Sequence, residues 1–260
     1  MKDQKKTQKD NQKSYRYDKI FGLLTLISLL VLVLMVYLDY GSNISSYAND
    51  ELKNVTFSSG DVASDEVATG TEITKEVTVV VDPQLGGSSN GGTSLDGTLL
   101  KNQNLEMAQL VKEKLEAKGV TVVLTRDSDK TVSDSDRVAT ANESDAAVVV
   151  SLGRNVYNGK ASGVESWIYS GEPIEAIELS NSILEEIANE GFTSRGIKAG
   201  TEKSSESDYA INSQVKSTSC IILLGFLDSE KDNEMFTTKE DATAQAIADG
   251  IASYLISQGY

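Results

Sequence analysis

The 260-residue chain contains no histidine and only one cysteine. Lack of imidazole removes the commonest general base and the commonest metal ligand. It also leaves Cys220 without the His partner that a thiolate nucleophile wants. One cysteine cannot build a disulfide framework. Cys220 falls in the apolar run Cys220-Ile221-Ile222-Leu223-Leu224, where a buried small hydrophobe is expected. Positive charge is scarce too, with 24 Lys and Arg against 39 Asp and Glu, for a net −15. Residues 1–19 hold seven of those cations and three Asp, net +4, which leaves −19 for the remainder. Such a remainder is a poor match for nucleic acid, whose phosphates demand cations.

What is present begins with one uncharged 19-residue run, from Ile20 to Leu38. At 1.5 Å per residue it spans roughly 28 Å, close to a bilayer's hydrocarbon core. A membrane anchor is expected, and the basic residues before it with Asp39 after it predict a cytosolic N-terminus with the rest outside the cell membrane. A cleaved signal peptide is the alternative. Its apolar core would run about 7–15 residues, shorter than this one. Ser46 and Ala48 do offer a small-x-small cleavage site. Residues 39–74 are polar and poor in large apolar side chains, so a flexible stalk is expected there. The folded domain is expected over 75–260.

Within that domain β-branched runs alternate with helical patterns. Strands are expected over 76–81, 121–124, 146–152, 163–169 and 219–225. Helices are expected over 105–118, from a Ser133/Asp136 capping box to Asn142, over 172–190, and over 239–258. Strands separated by helices predict an α/β fold: a single, mostly parallel sheet flanked by helices. Sites in such sheets form beyond the strands' carboxyl ends. That selects the segments Asp82 to Gly97, Ser151 to Asn155 and Leu223 to Ser229.

Those segments carry a family pattern. Val81-Asp82-Pro83-Gln84-Leu85-Gly86-Gly87 resembles the V-D-P-G-H-G-G opening of the zinc-dependent N-acetylmuramoyl-L-alanine amidases, which are cell-wall hydrolases. Lys101-Asn102-Gln103-Asn104-Leu105 is similar to their K-E-x-x-L. Leu124-Thr125-Arg126 with Asp129 resembles L-T-R-x-x-D, and Arg137 through Ala141-Asn142 resembles R-x-x-x-A-N. Ser151-Leu152-Gly153-Arg154-Asn155 is similar to S-I-H-A-N, Gly163-Val164-Glu165 to G-x-E, and Arg195-Gly196 to a later R-G. Ile222-Leu223-Leu224-Gly225-Phe226-Leu227 resembles V-E-x-G-F-L. Single pieces are weak signals; eight in order are strong.

The resemblance implies where zinc and its general base would sit: Leu85, Asn102 and Gly153 for the metal, Leu223 for the base. None supplies the chemistry. Leucine and glycine offer no lone pair, and a neutral amide is a poor zinc ligand. Leu223 cannot accept a proton from water. No catalytic residue, metal or other cofactor is therefore expected. The chain is read as an inactive relative that binds peptidoglycan or an envelope protein. The hollow left by Leu85, Gly153 and Leu223 is expected to be apolar and open, with Gln84, Ser151, Arg154 and Asn155 as its polar rim. Glu165 is a further candidate ligand contact, and Asp82 and Glu165 are otherwise structural acceptors near strand ends. With Asp228 they could also make an oxygen-only site for Ca²⁺ or Mg²⁺. The alternative function is an active amidase that hydrolyses the N-acetylmuramoyl–L-alanine bond with relocated ligands. A scaffold with an idle cleft is a third.

Two further patterns are set aside. Ser213 and Lys216 make an S-x-x-K match near Ser207-Asp208-Tyr209, in the wrong order for a penicillin-binding enzyme. The glycines at 86, 87, 91 and 92 lack the Lys ending of a phosphate cradle. Acidic clusters at Glu185-Glu186 and Glu230 to Glu234 are expected to be solvated.

Overall fold

The computed structural model describes residues 72–260. The expected basic tail, membrane span and nearly all of the stalk lie outside these residues. Among the described residues no helix is long and apolar enough to cross a membrane. Ile73 already packs partly against the core, slightly upstream of the expected domain start.

Six strands form one sheet in the order β2-β1-β3-β6-β4-β5. They are β1 (Thr78–Pro83), β2 (Thr121–Leu124), β3 (Val148–Asn155), β4 (Val164–Ile168), β5 (Ser194–Ala199) and β6 (Thr218–Phe226). Four of the five pairings are parallel; β4 runs antiparallel to β6. The central strands are β-branched and buried on both faces, as a covered parallel sheet requires. Edge strand β5, Ser-Arg-Gly-Ile-Lys-Ala, has no alternating large apolar residues, and the sequence pattern misses it.

One face of the sheet carries three helices: α1 (Leu100–Glu116), α3 (Ile174–Asn189) and α6 (Glu240–Ser257). Their apolar stripes, such as Met107, Val111 and Leu115 on α1, pack against Val79, Val81, Val150 and Leu152. The other face is thinner. There α2 (Asp134–Glu143) and the short α4 (Ala210–Ser213) bring Ala141 and Ile211 against Val80, Val149, Trp167, Ile221 and Leu223. Ser133 caps α2 by accepting a hydrogen bond from the Asp136 amide, as its capping box predicts.

Helix α1 begins five residues earlier than its apolar spacing suggests. Leu99 makes no side-chain cap. Instead the carbonyls of Gly92 and Asn90 accept from the amides of Leu100 and Lys101. A preceding loop supplies the cap, and local sequence carries no sign of it.

The acidic run before α6 is also more than a solvated face. It forms α5 (Glu230–Thr238), and Asp232 within it is buried. The Asp232 carboxylate accepts from the amides of Phe226 and Gly163, tying β6 to the start of β4. Gly225 makes room for it: φ there is 76°, and a Cβ would come within 2.8 Å of Asp232 Cβ. Gly225→Ala should therefore cost about 2 kcal/mol, from a left-handed backbone plus the displaced carboxylate. Urea unfolding checks this; an unchanged midpoint would contradict it.

Candidate functional site

Ser151 and Gly153 on β3, Leu223 on β6 and Asp82 on β1 share the thinner face at the carboxyl end of the sheet. Gly153 stands opposite Leu223 in the β3–β6 register. The space beside Gly153 is filled. A Cβ there would overlap Gln84 Oε1 and lie 3.2 Å from Leu223 Cδ2. The hollow is thus closed by the Gln84 side chain, not open as the sequence suggests. A side chain missing at 153 is replaced by one gained at 84.

Leu85 sits in the left-handed region at φ 68°, a conformation that Asn, Asp and His accept more readily than Leu. Its side chain and that of Leu100 converge on Gly91, where a Cβ would meet both. Asn102 is exposed, whereas Leu100 is buried. Two residues along a helix turn about 200°, so Asn102 faces away from Leu85. The helix position beside Leu85 is therefore Leu100, two residues before the one the resemblance implied. Two leucines and a glycine carry no donor, so the residues present do not fit zinc.

The backbone around these positions is held tightly by charged side chains. Arg126, fully buried, donates to the carbonyls of Pro83, Gln84, Lys101 and Ser128 at 2.7–3.2 Å. It bolts the β1 loop to the first turn of α1. Arg137 reaches from α2 to the Pro83 and Leu85 carbonyls and pairs with Asp82. Asp82 also accepts from Thr125 and from Ser151 Oγ. Asp129 takes the Gly87 amide at 2.7 Å and Lys101 Nζ at 2.8 Å. The motif residues Arg126, Asp129 and Arg137 thus shape the loop, and their roles depend on tertiary partners that spacing does not reveal. A shallow hollow of about 220 Å³ lies beside this network, lined by Gln84, Leu85, Arg137, Ser151, Tyr209 and Ile211 among others.

The expected rim divides. Gln84 and Ser151 are at the site, although Ser151 is fully buried against Asp82. Arg154 is not on the rim. Strand alternation turns it to the three-helix face. There it donates to the Leu224 and Phe226 carbonyls, Gln103 Oε1 and Asn233 Oδ1, above the Phe236 ring at 4.5 Å.

Asn155 and Glu165 belong to a second, larger hollow of about 470 Å³ next door. Trp167, Arg195, Lys198, Phe226 and Tyr157 also line it. Glu165 pairs with Leu223 across β4 and β6, so the two regions adjoin. Its carboxylate accepts from Trp167 Nε1, Arg195 Nε and Lys198 Nζ at 2.9, 2.8 and 2.6 Å. Burial opposes its charge, but hydrogen bonds from Lys198, Arg195, Asn155 and Trp167 outweigh that and hold it at about 2. Its folded value lies below its ordinary 4.5, so its contribution to stability is present above pH 4.5. That contribution is lost as pH falls from 4.5 to 2. Glu165→Gln should lower neutral-pH stability by about 2 kcal/mol and flatten the acid limb over that window. Melting curves from pH 2 to 7 check this; equal slopes would contradict it.

No oxygen-only metal site is assembled from the three acids. Asp82 is paired with Arg137, Glu165 with two cations, and Asp228 accepts from the Tyr157 and Gly159 amides. Among the described residues no three Asp, Glu, Cys or His side chains cluster as a metal site would need. Cys220 is buried in the core, and burial pushes its thiol up to about 12, as an inert hydrophobe requires. Ser213 and Lys216 are exposed, and Asp208 accepts from Ser170.

The family model described as N-acetylmuramoyl-L-alanine amidase matches residues 79–253. The chain belongs to that family. It is 30% identical over 183 residues to the protein YqiI of Bacillus subtilis, covering 68% of this chain and 84% of YqiI. It is 27% identical to the B. subtilis N-acetylmuramoyl-L-alanine amidase LytC over 231 residues, which is 84% of this chain but only 45% of LytC. The N-acetylmuramoyl-L-alanine amidase of Clostridium difficile 630 superposes with a TM-score of 0.65 at 27% identity, over 72% of this chain and all of that one. The amidase fold is therefore established, with its mostly parallel sheet flanked by helices.

Proposed function

We propose that this family member is catalytically inactive and serves as a binding module for the cell wall or an envelope protein. It would be tethered to the membrane by residues 20–38, with its folded domain outside. The observation that carries the reading is the filled position at Gly153. Where the resemblance places a metal-binding side chain there is none, and Gln84 occupies the room. Leucine at 85 and 223 completes the loss, because neither can hold zinc or take a proton from water. Without a metal, water keeps a pKa of about 15.7 rather than about 7, and hydroxide at neutral pH is scarce. Meanwhile Arg126, Arg137 and Asp82 preserve the loop geometry. A frame kept without its chemistry suits recognition.

The test uses purified peptidoglycan sacculi. The chain should sediment with them and release no new L-alanine amino termini. Release of such termini, abolished by a chelator, would favour an active amidase with relocated ligands. Failure to sediment would remove the wall as partner and leave an envelope protein.

A further inference from the structure

We propose that the hollow between the end of β4, the first turn of α3 and the start of β6 binds a neutral saccharide. β4 runs antiparallel to β6, so its carboxyl end lies beside the amino end of β6. The hollow is therefore at the sheet end away from Leu85 and Gly153. It holds about 390 Å³, room for a small ligand. Asn212 lines it and is only 7% exposed. Its Nδ2 donates to the Trp167 carbonyl at 3.0 Å, and a carbonyl can only accept, so the orientation of the amide is fixed. Oδ1 is then left buried with no partner among the described residues. A buried acceptor left unpaired is unfavourable, and a hydroxyl donating from the hollow relieves it.

Two unlike charges border the same hollow without meeting. Glu175 and Lys216 are both exposed, and among the described residues neither side chain has an ion-pair or hydrogen-bond partner. A net anion would face Glu175 and a net cation Lys216, whereas an uncharged polyol uses the first as acceptor and the second as donor. The first turn of α3 adds amides that no side chain caps. Tyr169, 42% exposed, gives a ring against which the C–H face of a sugar can lie, and Val215 adds apolar surface. The ring is placed in advance. It lies over Gly171, where a Cβ would come within 2.6 Å of it. The Glu172 amide donates to the Tyr169 carbonyl at 3.0 Å, and Asp208 takes the Ser170 amide and hydroxyl. A turn already set loses little freedom on binding. Such a site would serve an active or an inactive domain alike.

Saturation-transfer NMR on the whole chain, in a detergent without a sugar headgroup, tests this with cellobiose and N,N′-diacetylchitobiose. At least one of these uncharged disaccharides should give a saturable transfer signal. Tyr169→Ala should weaken its binding about tenfold or more, while Tyr169→Phe, which keeps the ring, should stay within about threefold. Glu175→Gln alters an exposed, unpaired side chain and should weaken binding about threefold with unchanged melting, which a merely structural residue would not do. Tyr157→Ala, in the hollow beside Glu165, should have no effect. A signal lost with Tyr157→Ala but kept with Tyr169→Ala puts the sugar in that other hollow and overturns the proposal. No signal from either disaccharide overturns it as well. So does displacement of the disaccharide by equimolar glycine or inorganic phosphate, which would mark an ion site instead.

Discussion

Gly153→His alone should leave the domain without zinc, because Gln84 Oε1 occupies the place where the new side chain must start. Zinc should appear only in the combined variant Gln84→Gly, Leu85→His, Leu100→Glu and Gly153→His. That set supplies two imidazoles and a carboxylate, the ligand number of a catalytic zinc site with one open position. Leu85→His adds no new backbone strain, since histidine enters the left-handed region more readily than leucine. The expected change is from no measurable affinity to a Kd at or below ~1 μM, which is about 8 kcal/mol. Titration with zinc under competition from a weak chelator measures it. Replacing Leu100→Glu by Asn102→Glu should forfeit most of the gain, because Asn102 faces away from Leu85. Tight zinc binding by Gly153→His alone would contradict the filled-site geometry.

Arg137→Ala carries the largest expected loss of stability. It strips the buried Asp82 carboxylate of the one cation paired with it among the described residues, removes the Arg137 donor from the Leu85 carbonyl and leaves the Pro83 carbonyl with Arg126 alone. Breaking a buried pair by removing one partner costs about 3–5 kcal/mol. For a domain of this size that is a fall in Tm of roughly 10 °C. Adding Asp82→Ala should recover part of the loss, because the stranded charge goes with it. A drop below ~1 kcal/mol would mean that Arg126 and Asp129 hold the loop without it.

Much of the architecture was legible because it rests on local patterning. β2 over 121–124 and the Ser133 cap of α2 emerge at the residues their patterns select. β5 and α5 did not, since an edge strand with one glycine and a short polar helix have weak apolar periodicity. The start of α1 was hidden for another reason: its cap is backbone from the preceding loop. At the site, the ordered motifs pointed to Leu85, Gly153 and Leu223. Strand parity then decided what spacing could not, turning Arg154 inward and leaving Asn155 with Glu165. The Gln84–Gly153 exchange is a relation between two strands' ends, invisible until they are neighbours. Arg195 was visible only as part of the R-G match, while its strand β5 and Lys198 were not foreseen, so the cationic hollow was hidden as well.

The proposed loss of chemistry requires that no residue set at this sheet edge hold a catalytic metal. The most direct measurement is the zinc content of the purified, unaltered chain after equilibration with zinc and exhaustive dialysis. Well under ~0.1 equivalent per chain is expected, given the donors zinc requires. One firmly held equivalent, together with wall cleavage that a chelator stops and zinc restores, would contradict it.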